Sequence, residues 1–376
     1  MFGRRSPSVA EMLSEIQTET GAQASSPSPL GSTGLPGLDV QLLSTATKRT
    51  SPSSSLNRGD VLEIQGPAAS GKTHLVYRLT MQCILPEKVF LSKEHIPSEV
   101  EIGGWEKSAI IMDTDGRWSA HRLKLLLIRR LEKALPSGLP ELRQLIQDTV
   151  TQSLRRLHVF RIRSSASLAA TLFQLPLYHS QRMSDEEIGL LSIDSISSFY
   201  WIDRHYLEQQ RQGSSASNRK DSANPLGRIL MALQEFRLSH GPVIVLTNWG
   251  LTSVSKPSDA NDEDVTPSPF YRQHLHPFPA PLGIPSRILP NAHLMPPITH
   301  HITLILPSID RIPLSVTSLQ EALELTEQGS VGIRKRDIMG ILRTVETGST
   351  VNFTIDNLEE SCPSRQCSKV ERELVQ

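Results

Sequence analysis

Between Gly66 and Thr73 the chain reads GPAASGKT, and this short stretch separates two incompatible periodicities. Before it lies the compact apolar run Val61-Leu62-Glu63-Ile64, suited to a buried strand. After it Leu75, Val76 and Leu79 recur at the spacing of one helix face. The chain is therefore a strand, a glycine-rich turn and a helix at this point. Backbone N–H groups can wrap an anion only where side chains leave room, and the helix N-terminus behind them favours negative charge. The stretch fits the phosphate-binding loop pattern. Gly66, Pro67, Ala68, Ala69, Ser70, Gly71, Lys72 and Thr73 are accordingly the candidate nucleotide-binding residues. Lys72 suits the outer phosphates, and the Thr73 hydroxyl suits a magnesium shell. The plainer alternative is a strand-to-helix turn that binds nothing.

Downstream, short apolar runs alternate with amphipathic stretches. Ala109 to Met112 reads as a strand that delivers Asp113 and Asp115 at its end, followed by a helix over 118–134 and a second over about 140–153. Acids at the C-terminal ends of parallel strands sit where ligands bind; the competing role is to cap the following helix. A third strand is expected at 157–162, a helix at 166–176, and a fourth strand at 188–193 closing on Asp194-Ser195. A strand-end carboxylate downstream of a phosphate loop can orient a magnesium-bound water, which makes Asp194 a metal candidate with Thr73. Helices at 195–210 and 226–236 and a fifth strand at 243–246, ending in Thr247-Asn248-Trp249, complete the alternation. Phe199, Tyr200 and Trp201 can serve as core or as base-stacking groups. The pattern predicts an α/β fold with a mostly parallel, twisted sheet flanked by helices.

The flanks differ in character. Residues 8–19 place Val9, Met12, Leu13 and Ile16 on one helical face, for packing on this chain or on a partner. Residues 21–56 are rich in Ser, Pro, Thr and Gly, the composition of a linker, interrupted by GSTGLPGLD. Arg211 to Asn224 reads as a mobile loop. From 250 to 297 prolines recur too often for a long helix or a central strand. Segments at 301–306, 337–345 and 351–355 read as C-terminal antiparallel strands, and the tail 359–376 as disordered. The domain reading is thus 1–56 as short helix and linker, 57–358 as a core with flexible loops at 211–225 and 250–297, and 359–376 as tail.

Lys+Arg 39 balance Asp+Glu 39, so no global field draws the chain to nucleic acid or membrane. The three cysteines, with Cys362 and Cys367 in the polar tail, provide no disulfide framework and suit a reducing compartment. No apolar run approaches membrane-spanning length, and no hydrophobic core follows Arg4-Arg5; the chain reads as soluble and intracellular.

GSTGLPGLD, GDVLEIQGPAASGKTHLVYRLTMQCILP and LLSIDSISSFYWIDR together resemble the RecA-like recombinases, in particular the eukaryotic recombinase paralogs, over most of residues 30–250. The resemblance implies a RecA-like P-loop ATPase core that binds ATP and Mg2+. It also implies a nuclear DNA-repair role in homologous recombination, inside a hetero-oligomer of paralogs that assists the main recombinase on single-stranded DNA. Lys72 and Thr73 match the family's phosphate and magnesium positions, and Asp194 the second magnesium-linked acid. Asp115 falls where recombinases place a catalytic glutamate, one methylene short. Trp249 stands where they carry a glutamine that senses the terminal phosphate; an indole cannot both donate and accept as an amide does. The Phe-x-x-Ala polymerisation motif is missing ahead of the core. Family DNA-contacting loops map to Arg211–Asn224, with Arg219 and Lys220, and to Gly250–Pro297, with Lys256, Arg272 and Arg287. The departures favour a nucleotide-binding partner protein with at most weak DNA-dependent ATP hydrolysis. The alternatives are an autonomous DNA-dependent ATPase and a structural adaptor with a vestigial nucleotide site.

Overall fold

The structure is a computed structural model that describes residues 29–45, 54–93, 96–136, 142–213, 225–250, 296–305, 318–327, 338–344 and 350–355. The stretch 8–19, nearly all of 250–297 and the tail from 359 lie outside the described residues. In chain order the elements begin with β1 (Pro29–Gly31), α1 (Pro36–Thr45), β2 (Leu56–Asn57), β3 (Val61–Gly66) and α2 (Lys72–Ile84). There follow β4 (Lys88–Lys93), β5 (Ile96–Glu101), β6 (Ser108–Asp113), α3 (Ala120–Ala134), α4 (Leu142–Arg155), β7 (Leu157–Arg161), α5 (Ser165–Arg182) and β8 (Ile188–Asp194). The last are α6 (Tyr200–Gly213), α7 (Pro225–His240), β9 (Val243–Trp249), β10 (His300–Ile305), α8 (Leu319–Glu327), β11 (Ile338–Thr344) and β12 (Thr350–Ile355).

An 8-stranded sheet runs β12-β11-β10-β3-β9-β8-β6-β7. Every pair from β10 to β7 is parallel, and β11 and β12 extend it antiparallel. This is the mostly parallel core with C-terminal antiparallel strands expected of a RecA-like fold. The strand period of 2 sends Leu62 and Ile64 to a core shared with α1 to α4, and Val61 to a core shared with α5 and α7. On α3, Leu123, Leu126, Leu127 and Leu131 are buried at helical spacing, each worth about 1.5–3 kcal/mol relative to exposure.

Several boundaries differ from the sequence expectation. Much of the 21–56 stretch is structured, because its small polar residues are caps rather than linker. The Asp39 carboxylate accepts from Thr33 N and Thr33 Oγ1, each at 2.7 Å, and from the Ser55 hydroxyl. Leu35, Leu38 and Leu42 are buried, and the Trp105 indole donates to Ser32 O at 2.8 Å. α6 begins at Tyr200, not Ser195: Ser195 Oγ accepts from Ser197 N, a local side-chain bond that competes with helix formation. It also runs to Gly213, into the segment expected to be a loop. α5 continues through Pro176, which forfeits one helical bond while Leu168, Leu172 and Leu175 hold the helix on the core.

At the end of α7 the His240 ring stacks on Phe236, with centroids 4.3 Å apart, and His179 meets it edge-on at 5.0 Å. Burial pushes His240 below its usual range, and neighbouring His179 pushes the same way. Burial also lowers His158, against the opposing pull of Glu186. Folded histidines of this kind resist a proton that the unfolded chain accepts near the ordinary value of 6.5. Their stability contribution is therefore full above that value and is lost as pH falls below it. The thermal midpoint should drop between about pH 7 and about pH 5.5, and His240→Gln should flatten that slope in part.

Candidate functional site

The C-terminal ends of β3, β6, β8 and β9 are adjacent in the sheet, and a cleft of about 620 Å³ opens there. Its lining includes Ala68 to His74, Asp113, Asp115, Arg117, Trp118, Arg122, Asp194, Ser195 and Trp249. All the sequence candidates except Gly66 and Pro67 line it, and those two carry the backbone into it. A Cβ on Gly66 would lie 2.5 Å from Ser70 Oγ and 2.9 Å from the Leu304 carbonyl, so the strand-to-loop turn needs glycine. Gly71 caps α2 with φ 93, which opens the helix N-terminus without a side chain in the way. Ser70 Oγ is buried without a partner among the described residues. A loop of this shape, with a spare buried hydroxyl and a helix N-terminus behind it, fits a phosphate chain.

Lys72 folds back along the loop and donates to Gly66 O at 2.9 Å and Pro67 O at 2.7 Å. Burial pushes its ammonium below the usual lysine range, opposed by Asp194 and then Asp115. An anionic ligand would relieve that cost. Asp194 is mostly buried, which pushes its carboxyl up; hydrogen bonds from Thr247 and then Thr73 oppose the shift. Thr247 Oγ1 donates to Asp194 Oδ1 at 2.5 Å. Thr73 and Asp194 are thus already in contact, and their oxygen donors suit a hard divalent cation such as magnesium.

The two acids after β6 separate into different roles. Asp113 is buried and accepts from Arg117 N at 3.2 Å and Trp118 N at 3.3 Å, so it caps the following turn. Asp115 is exposed in the cleft, and its Oδ1 accepts a hydrogen bond from the Ser198 hydroxyl. The strand-end run of β9 is also divided. Thr247 holds Asp194, and the buried Asn248 amide turns back to donate to Glu63 Oε1 at 2.9 Å. Only Trp249 of the three lines the cleft, with its backbone N–H on Ser197 Oγ at 3.1 Å.

Sequence reasoning missed several residues here. Trp118 stacks on Tyr77 at 3.9 Å, and the Arg122 guanidinium lies 5.3 Å from the Tyr77 ring centre while Arg122 Nη2 meets His74 Nδ1 at 3.1 Å. Tyr77 lies buried on α2 beside the expected Leu75, Val76 and Leu79 face, and nothing local paired it with a residue after β6. Glu63 was visible as a charge within an apolar run, the one available signal of a buried polar network.

No protein-family model matches the chain. It is 35% identical over 146 residues to the DNA repair protein XRCC2 of Mus musculus, a match covering 39% of this chain and 43% of that protein. It is 25% identical over 233 residues to the DNA repair protein XRCC2 homolog of Arabidopsis thaliana, covering 56% and 60% respectively. It is 28% identical over 141 residues to the DNA repair and recombination protein RadA of Methanoculleus marisnigri, covering 37% and 36%. The chain thus spans about half the length of the first two relatives. Among the described residues, no helix is long and apolar enough to cross a membrane.

Proposed function

We propose, for a chain that belongs to the RecA family as a paralog similar to the XRCC2 proteins, a role in homologous-recombination repair of DNA in the nucleus. In this reading it holds ATP with Mg2+ and works within a complex of other recombinase paralogs, meeting single-stranded DNA through that complex. The observation that carries it is the convergence of Lys72, Thr73 and Asp194 on one cleft at the mouth of a parallel sheet. Bound ATP would supply a phosphoanhydride open to hydrolysis by water. Lys72 would exchange its two loop carbonyls for phosphate oxygens, and Thr73 and Asp194 would hold the cation. Asp115 is the acid available to take a proton.

The same cleft favours retention over rapid turnover. Asp115 is a short acid on an exposed turn, and Asn248 is committed to Glu63 rather than to the cleft. Trp249 presents an apolar wall where a phosphate sensor would need an amide. The role is tested by purifying the tagged full chain from cells before and after DNA breakage and identifying bound proteins by mass. Other RecA-family proteins should co-purify with it, and cells lacking the chain should lose break repair by recombination. Recovery of the chain without any RecA-family partner, or normal recombination in its absence, overturns the role.

A further inference from the structure

Two turns meet beside the cleft. One follows β6 and carries Thr114 and Asp115; the other follows β8 and carries Ser195 to Ser198. Thr114 Oγ1 accepts from Ser195 N at 2.6 Å and lies 2.8 Å from both the Ser195 carbonyl and Ser198 Oγ. Ser198 Oγ in turn contacts Asp115 Oδ1. On the far side, Ser195 Oγ lies 2.7 Å from Ser197 Oγ, which accepts from Trp249 N.

The proton inventory gives this cluster a direction. An ionised carboxylate only accepts, so the single Ser198 proton is committed to Asp115. The single Thr114 proton has two acceptors in reach, the Ser195 carbonyl and Ser198 Oγ, so Thr114 ties the two turns together while Ser198 alone donates to the carboxylate. The second Asp115 oxygen, Oδ2, has no hydrogen-bond partner among the described residues. An aspartate on an exposed turn would otherwise choose freely among its rotamers. Here one oxygen is tethered to a partly buried turn, and the residue lines the cleft that Lys72, Thr73 and Asp194 share.

We propose that Ser198 is a positioning residue: it fixes Asp115 so that Oδ2 can serve as the proton acceptor of a slow hydrolysis. This rests on the nucleotide reading above. In that hydrolysis the oxygen of water bonds to the terminal phosphorus, and the bridging P–O bond breaks with its electrons on the departing diphosphate. The proton shed by the water passes to Asp115 Oδ2. The tether compensates for the short side chain, since a base oriented by a third group needs no reorganisation when it reacts.

The test uses the purified full chain as wild type, Ser198→Ala, Asp115→Ala, the double variant, Ser198→Thr and Lys72→Ala. Without nucleotide, urea unfolding should show Ser198→Ala lowering the midpoint more where Asp115 is present than beside Asp115→Ala, where only the Thr114 contact is lost; additive effects in this cycle overturn the contact. With ATP and magnesium, Ser198→Ala should lower single-turnover kcat by about 10–100-fold with KM unchanged, and Ser198→Thr should restore it to within about threefold. Unchanged or faster turnover in Ser198→Ala, a loss carried by KM, or a wild type that binds ATP without any turnover overturns the positioning role. Failure of the nucleotide reading is recognised separately. A wild type whose ATP affinity is no better than that of Lys72→Ala removes that reading and the positioning role with it, while the urea cycle still decides whether Ser198 holds Asp115.

Discussion

Lys72→Ala should remove about half or more of the rise in melting temperature that ATP and magnesium give the wild-type protein, while leaving the nucleotide-free protein nearly as stable as before. The ammonium sits inside the phosphate loop on two carbonyls, at 2.9 and 2.7 Å, and burial already works against its charge. Exchanging those carbonyls for phosphate oxygens turns a cost into charge-assisted bonds of about 1.5–3 kcal/mol, which is about one to two orders of magnitude in affinity. A ligand at about 100 times its dissociation constant stabilises the folded state by about 2.7 kcal/mol, and a hundredfold weaker site retains only a small part of that. The two loop carbonyls lose a donor in the free protein, a change of about 1 kcal/mol or less near solvent. A variant that keeps the full ligand-induced shift would remove ATP from the function of this cleft.

Glu63→Ala should cost about 2–5 kcal/mol of stability, because it removes the acceptor of two buried groups at about 1–3 kcal/mol each. Glu63 and His301 side chains are each 1% exposed, and Glu63 Oε2 lies 2.7 Å from His301 Nδ1. Glu63 Oε1 accepts from Asn248, and His301 Nε2 is 3.0 Å from Thr303 Oγ1, so the network crosses β9, β3 and β10. One strand further, burial holds Arg343 down to about 10, with Glu63 the opposing influence. Alanine would leave that guanidinium without the opposing charge and orphan two buried donors. Glu63→Gln keeps the volume and one of the two acceptor oxygens and should cost less than alanine. Urea unfolding of both variants measures the difference; a loss under about 1 kcal/mol for alanine would mean that the network holds nothing together.

The network also shows where a one-dimensional reading stops. Val61 to Ile64 was legible as a strand because four compact residues precede a glycine turn, and Glu63 was legible as an anomaly within it. Its partner His301 lies 238 residues away, beyond the proline-rich stretch, and only the parallel register His301↔Glu63 brings them together. The serine run after β8 misled for a related reason. Its composition is compatible with a helix start, but local hydroxyl-to-backbone bonds and the contact with Thr114 hold it as a turn.

By itself the sequence determined the alternation of strands and helices, the phosphate loop from Gly66 to Thr73 and the acids at strand ends, since periodicity, glycine placement and capping act within a few residues. Tertiary structure alone decided which acid does what. Asp113 and Asp115 stand two residues apart with the same chemistry, yet one caps a turn beneath the cleft and the other is tethered by Ser198 at its edge. That division depends on β8 lying beside β6 in the sheet, a contact between segments about 80 residues apart that no local rule encodes.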